Sequence, residues 1–157
     1  PAFGRGFFWR AVMQNRTVML WLGYTGLLPF YGFLLGAWML EDWPAAVSVR
    51  GFIIYSLGIL CFLGGTLWGR VQSFSEPVMA RLLVSNGVVL FAVAAVLTAK
   101  IWLAAVALMG GYLALLWYER GAESLPVWYR AMRRNLTFGV VLAHGLFFVL
   151  QSVQSNS

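Results

Sequence analysis

The residue in this sequence best suited to chemistry is His144, the single histidine among 157 residues. It lies near the middle of an apolar stretch, in Leu142-Ala143-His144-Gly145. A neutral imidazole there can ligate a haem or another metal, hydrogen-bond a quinone, or bond a neighbouring helix. Because most metal sites need several ligands, haem ligation by this lone histidine would require a second ligand from another chain. A polar contact across a helix bundle is the simpler expectation for His144.

The rest of the sequence contains few residues that could catalyse a reaction. Cys61 is the only cysteine, which excludes an intramolecular disulfide and a dithiol redox mechanism. No carboxylate lies within the long apolar stretches, so an ion pathway would lack the ionisable residues that it needs at depth. The motifs of zinc proteases, α/β-hydrolases and P-loop NTPases do not occur in the sequence. We therefore expect a protein that is not an enzyme and that holds no metal or cofactor of its own.

Five long apolar runs set the class of protein. The chain is 61% hydrophobic and 10% charged, with a mean hydropathy of +0.79. Each run has at least 18 residues, or roughly 27 Å of helix, which approaches the ~30 Å hydrocarbon core of a bilayer. We therefore predict an all-α, polytopic membrane bundle of about five transmembrane helices. An interfacial arm is predicted over residues 1–16 and a transmembrane domain over residues 17–157. The runs cover residues 17–40, 47–69, 78–98, 101–118 and 136–153.

The basic residues predict how these helices are oriented. Of eleven lysines and arginines, nine lie in the N-terminal arm and in the second and fourth connections. The positive-inside rule then places the N-terminus in the cytoplasm and the C-terminus outside. With its net charge of +6, the chain is expected to contact anionic phospholipids. It is not expected to bind nucleic acid, because no soluble basic surface remains. This predicts a multi-pass protein of the bacterial inner membrane, or of the mitochondrial inner membrane in a eukaryote.

Two segments combine basic and aromatic residues. In the N-terminal arm, Arg5 and Arg10 alternate with aromatic side chains, which is typical of a segment lying on a membrane surface. The second segment leads into the fifth run, and its arginines share one helical face by their spacing. Either segment is expected to anchor the protein at the interface or to bind an anionic lipid or a partner protein. The residues of the second segment are Trp128, Tyr129, Arg130, Arg133 and Arg134.

Glycines predict where helices approach closely. Small residues on one stripe let transmembrane backbones pack together, either within the bundle or against another subunit. Pro29, in the middle of the first run, removes a backbone hydrogen bond and predicts a kink there. The glycines on such stripes are Gly32 and Gly36 in the first run and Gly51, Gly58, Gly65 and Gly69 in the second.

Three stretches support a family resemblance. They are Leu28-Pro29-Phe30, the segment Phe62-Leu63-Gly64-Gly65-Thr66-Leu67-Trp68-Gly69, and Leu125-Pro126-Val127-Trp128-Tyr129 followed by Arg133, Leu136 and Thr137. Their order resembles a bacterial family of unknown function that includes the mitochondrial transmembrane protein sixty-nine. The resemblance covers residues 23–141. It implies a small inner-membrane protein of about five helices and brings no established catalytic residue.

Three hypotheses about function follow. The first is a non-catalytic accessory or assembly subunit of a larger inner-membrane complex, with other integral membrane subunits as partners; the mitochondrial resemblance favours a respiratory complex. The second is a transporter-like homo-oligomer that handles a small molecule or lipid, which predicts a cavity near Asn86, His144 and Pro29. The third is an electron-transfer subunit in which His144 contacts a haem or quinone shared with a partner chain. Bound phospholipid is expected in each case.

Overall fold

The computed structural model describes residues 16–71, 78–120 and 125–154, and the regular structure in these ranges is α-helical. Each of its five helices is long and apolar enough to cross a membrane. The predicted all-α bundle is therefore confirmed. Arg5 and Arg10 of the predicted arm lie outside the described residues. The helices are α1 (Arg16–Met39), α2 (Asp42–Val71), α3 (Val78–Thr98), α4 (Ile101–Arg120) and α5 (Val127–Gln154).

Pro29 interrupts the first helix by a turn instead of a simple kink. Gly26 and Leu27 form this turn, and the helix resumes over Leu28–Met39. The break lies before the proline because Pro29 has no N–H to donate to the preceding turn. The Leu27 amide donates to the Tyr24 carbonyl three residues back, at 3.0 Å. The Tyr55 hydroxyl of α2 then donates to the Gly26 carbonyl at 2.9 Å, so a neighbouring helix satisfies the broken backbone.

The connections at one end of the bundle are short. Only Leu40 and Glu41 separate α1 from α2, and Asp42 adopts a left-handed φ of 51° that reverses the chain. Ala99 and Lys100 alone join α3 to α4, as the sequence predicted. These tight turns make successive helices antiparallel. We call the opposite end, where the helices carry Arg16, Arg81, Arg120, Arg130 and Arg134, the arginine-rich end.

The fifth helix begins nine residues earlier than the predicted run, at Val127 instead of residue 136. Its first turns carry Arg130, Arg133 and Arg134. These charged residues interrupt the apolar run in the sequence, but the helix continues through them. The predicted basic and aromatic segment is therefore the first part of α5. This extension brings Arg133 against the last turn of α4.

The helices form a closed bundle around an aromatic core. Each helix packs on the next in sequence, α5 closes against α1, and α2 also contacts α4. The core lies mainly between α1, α2, α4 and α5, whereas α3 packs on the outside of α2 and α4 and contributes Ala92 and Ser85. The largest fully buried hydrophobic side chains are Phe30, Phe52, Leu60, Leu67, Leu108, Tyr112, Leu115 and Phe147.

The exterior of the bundle carries many large apolar side chains. Trp38, Leu97 and Trp117 expose 69%, 78% and 74% of their surfaces. A water-soluble bundle would bury such residues, since contiguous apolar surface of this extent favours association in water. Exposed tryptophans near helix ends, such as Trp43 and Trp117, match the aromatic belts of membrane proteins.

The predicted glycine stripes divide into two groups. Gly51 faces the Phe33 ring of α1 and Gly36 faces Ser48 of α2, so both lie where α1 and α2 pack. The other four glycines have open space where a side chain would begin. They are Gly32, Gly58, Gly65 and Gly69.

This division predicts opposite effects of one substitution on α2. A methyl group at position 51 would lie 2.5–2.9 Å from ring atoms of Phe33, whereas Gly58→Ala meets nothing and gains helix propensity. We expect Gly51→Ala to be less stable than Gly58→Ala by about 1–3 kcal/mol, the usual cost of overpacking. Thermal unfolding of the two purified variants in one detergent measures the difference. Equal stabilities would mean that α1 does not pack on α2 as described.

Candidate functional site

His144 is the centre of a buried hydrogen-bonded cluster that joins three helices. Its Nε2 atom lies 2.8 Å from the Ser56 hydroxyl of α2, and its Nδ1 atom lies 2.8 Å from the Val140 carbonyl of its own helix. The Tyr112 hydroxyl of α4 donates to the Ser56 carbonyl at 2.8 Å. His144 is 1% exposed and Ser56 is fully buried. The cluster therefore ties α2, α4 and α5 together near the middle of the bundle.

The partners of His144 fix which nitrogen carries the proton. A carbonyl oxygen only accepts, so Nδ1 donates to Val140 and a neutral ring leaves Nε2 to accept from the Ser56 hydroxyl. Both ring nitrogens are thus used within the chain. Ligation of a haem iron through Nε2 would require Ser56 to turn away. The geometry is that of the predicted polar contact across the bundle.

Aromatic rings enclose this cluster. The centroid of Phe52 lies 4.9 Å from that of His144, and the rings of Tyr112 and Phe30 lie at 5.7 Å and 5.8 Å. Phe147 stacks on Phe52 with the two ring centroids 4.3 Å apart. The rings keep the imidazole away from the surroundings of the bundle, which argues for a structural role of His144.

A second buried polar pair lies near the arginine-rich end. The Arg133 Nε and Nη2 atoms donate to one oxygen of Glu119, at 2.9 Å and 2.6 Å. Both side chains are almost fully buried, at 7% and 5% exposure. The predicted apolar run ends at residue 118, one residue before Glu119, and Arg133 was expected on a surface for lipid or a partner. The pair was not predicted, because α4 continues to Arg120 and thereby brings the carboxylate inside its last turn.

Two cavities meet at Arg133. The first, which we call the arginine pocket, has a volume of about 440 Å³ and is lined by four arginines and one glutamate. The second, which we call the lateral groove, has a volume of about 410 Å³ and runs between α1, α2 and α5. Arg133 lines both cavities. The charged lining residues of the arginine pocket are Glu119, Arg120, Arg130, Arg133 and Arg134.

The lateral groove is apolar and opens sideways. Met19, Leu22 and Phe62 line it and are 45–68% exposed, so the groove opens toward the surroundings of the bundle. At its inner end Phe30, Tyr112 and Val140 separate it from His144. The polar residues that line it are Thr66, Tyr112, Tyr129, Arg133 and Thr137.

The predicted basic and aromatic segment therefore has two environments. Arg130 and Arg134 are exposed and line the arginine pocket with Arg133, so the three arginines do share one region. Tyr129 lines the lateral groove. Trp128 lies edge-on to Tyr129 at 5.8 Å, and the Arg16 guanidinium lies 5.4 Å from the Trp128 ring. A cation–π contact of this kind joins the start of α1 to the start of α5.

The sequence predicted a cavity near Asn86, His144 and Pro29, and the lateral groove lies in a different place. Asn86 lies on the exposed face of α3, away from the core, and His144 is enclosed by aromatic rings. The lateral groove instead lies beside the α1 turn that precedes Pro29. Hydropathy alone did not predict it, because its walls are formed by residues that also belong to ordinary transmembrane runs.

A family model described as "Protein of unknown function (DUF3429)" matches residues 15–149. The chain belongs to this family. The match covers α1 to α4, α5 as far as residue 149, and the lining of both cavities, so the bundle is the family's domain. No match was found among curated proteins or among solved structures. The family description assigns no activity, and the site must be interpreted from its own residues.

The His144 cluster makes a prediction about stability. Ser56→Ala leaves the buried Nε2 atom without a donor and should cost about 1–3 kcal/mol. His144→Leu leaves a hydroxyl that can bond the carbonyl one turn back, so the double variant should lose less than the sum of the single losses. Unfolding free energies in one detergent give the coupling energy, expected at about 0.5–3 kcal/mol. Thr98→Ala, at an exposed threonine, is the control and should change stability by at most about 0.5 kcal/mol. Strict additivity would contradict the bond between Ser56 and His144.

Proposed function

We propose that this protein is a non-enzymatic integral membrane protein that binds an anionic phospholipid between the arginine pocket and the lateral groove. The observation that carries the proposal is that the two cavities share Arg133. A phospholipid has an anionic headgroup joined to apolar chains, and the two cavities offer complementary surfaces in that order. The proposal keeps the lipid handling of the second function that the sequence suggested, a transporter-like homo-oligomer for a small molecule or lipid, and places it in different cavities.

The arginine pocket suits the headgroup. Glu119 is already bonded to Arg133, so its negative charge is compensated within the pocket. Arg120, Arg130 and Arg134 then give the lining a positive balance, and arginine forks suit the oxygens of a phosphate. Exposed arginines at a membrane end are common, but here three line one concave site.

The lateral groove suits an acyl chain. It has the volume of a small-molecule site, for which about 300–1,000 Å³ is usual. Its exposed lips, Leu22 and Phe62, allow a chain to enter from the bilayer without crossing a polar barrier. The hydroxyls of Tyr129 and Thr137 lie nearer the arginine-rich end, where the ester groups of a bound lipid would lie.

The proposed orientation follows from charge. With the arginine-rich end in the cytoplasm, the arginine pocket faces the leaflet surface that attracts basic residues. The protein would then lie in the bacterial inner membrane, or in the mitochondrial inner membrane if it is eukaryotic. The resemblance to transmembrane protein sixty-nine supports this location.

A second candidate function is that of an accessory or assembly subunit of a larger, respiratory complex. The observation that favours it is the outward face of α2, where Gly58, Gly65 and Gly69 meet nothing in the described chain. Open glycines in a transmembrane helix allow another helix to approach closely. The resemblance to a mitochondrial protein is the support for a respiratory partner.

Lipid binding predicts a charge-dependent loss on substitution. We expect Arg130→Gln/Arg134→Gln to reduce retention of phosphatidylglycerol at least about 10-fold, since two charge-assisted bonds are lost. Retention of zwitterionic phosphatidylcholine should change little. Native mass spectrometry of the full chain, exchanged into defined lipid mixtures, measures both.

The matched control is Arg50→Gln, which removes an exposed arginine at the opposite end. Thr66→Phe should displace lipid by filling the groove, whereas Leu83→Phe on the outer face of α3 should not. Equal loss of both lipids in every arginine variant, or no preference for the anionic lipid in the parent chain, would rule out this function.

The accessory-subunit function predicts a stoichiometric partner. Gentle extraction of a tagged chain from native membranes should then yield a particle containing other integral subunits. Gly58→Leu/Gly65→Leu should release them while Gly32→Leu, at an open glycine of α1, should not. Recovery of the tagged chain with lipid alone would leave the lipid-binding function and exclude this one.

A further inference from the structure

Asn86 is a polar side chain in an unexpected place. It lies near the middle of α3 (Val78–Thr98) and faces outward from the bundle. Its Nδ2 atom donates to the Leu82 carbonyl of its own helix at 2.9 Å. This uses one of the two amide hydrogens, and among the described residues neither the second hydrogen nor the Oδ1 acceptor has a hydrogen bond.

Hydrocarbon provides no partner for these groups. In a bilayer core a polar atom without a hydrogen bond is costly, and asparagine there generally bonds a neighbouring helix. Every residue around Asn86 on this face is apolar, so the side chain has no polar neighbour on α3 to use instead. Within residues 16–71, 78–120 and 125–154 the amide thus has no further partner, and a polar group from another chain would supply one.

The face around Asn86 is shaped for another helix. Leu83 and Leu90 flank it and are 65% and 70% exposed. Gly87 follows directly, and a Cβ atom placed there would meet nothing within 4 Å. A glycine beside an asparagine lets a second backbone come close enough for the amide to reach it. We call this surface the Asn86 face; it consists of Leu83, Asn86, Gly87 and Leu90.

We propose that two copies of this chain pair through the Asn86 face, about a two-fold axis along the membrane normal. The argument for a second copy is the chemistry of the amide. The unused hydrogen and oxygen of one Asn86 complement the unused oxygen and hydrogen of the other, so a symmetric pair satisfies all four. A two-fold interface requires such self-complementarity, and both copies keep the same orientation in the membrane. This inference is independent of lipid binding, because the cavities lie across α1, α2, α4 and α5.

Pairing predicts that two substitutions weaken the dimer without disturbing the bundle. Asn86→Leu removes the reciprocal bonds and should raise the dissociation constant roughly 5- to 30-fold. Gly87→Ile adds bulk where the single chain has open space, and should separate the helices at least as strongly. Asn135→Leu makes the same chemical change on α5 and should leave the dimer intact. The full chain, labelled with donor and acceptor dyes and diluted with lipid, gives the dissociation constants.

Cross-linking tests the geometry directly. In a Cys61→Ser background, Leu83→Cys and Leu90→Cys should each form an intermolecular disulfide in native membranes under mild oxidant. Leu142→Cys, at a position of α5 that is 58% exposed, should not. A chain that stays monomeric at all dilutions would overturn the proposal. So would a dimer unaffected by both Asn86→Leu and Gly87→Ile, or cross-links from positions 83 and 90 only to another protein.

Discussion

The bilayer interior offers no water, and this constraint explains the polar interactions of the bundle. A polar atom inside must find its partner within the protein. Among the described residues, no buried side-chain nitrogen or oxygen lacks a hydrogen bond. His144 is satisfied at both nitrogens, and the hydroxyl of Tyr112 reaches a backbone carbonyl. The bond between Ser56 and His144 joins α2 to α5, and that between Tyr112 and Ser56 joins α4 to α2, whereas the bond to Val140 lies within α5. Satisfying the polar groups of this cluster therefore also helps to assemble the bundle.

The bonds between helices favour glycine carbonyls as acceptors. Tyr31 bonds Gly139, Tyr55 bonds Gly26 and Ser85 bonds Gly64, at 2.7–2.9 Å. A glycine has no side chain to cover its carbonyl, so a hydroxyl from another helix can reach an oxygen that a larger residue would shield. Glycines in this bundle thus serve hydrogen bonding as well as close packing. One of these bonds joins α1 to α5, since Tyr31 and Gly139 belong to those two helices.

Hydropathy predicted the five helices because lipid imposes a length and a polarity on each span. It did not predict their ends, since Arg130 and Arg133 continue α5 in a region that is no longer apolar. It also did not predict the partner of His144, because Ser56 and Tyr112 are unremarkable residues until helix packing brings three helices together. Glu119 and Arg133 are separated by a connection whose residues give no pairing signal. Gly51 and Gly58 lie seven residues apart and therefore face nearly the same direction. They differ because the Phe33 ring of α1 covers that face only at the level of Gly51, and the sequence of α2 alone does not indicate this.

The two buried polar clusters differ in whether a ligand could reach them. The His144 cluster is closed, because aromatic rings surround it and each donor has an acceptor. Arg133 is bonded to Glu119 but also lines two cavities. A buried ion pair is costly to desolvate and is weak support for stability by itself. Here the pair holds a guanidinium where the arginine pocket meets the lateral groove, with its charge balanced when the site is empty. An incoming phosphate would then interact chiefly with Arg120, Arg130 and Arg134, and the pair with Glu119 would keep Arg133 from collapsing into the apolar groove.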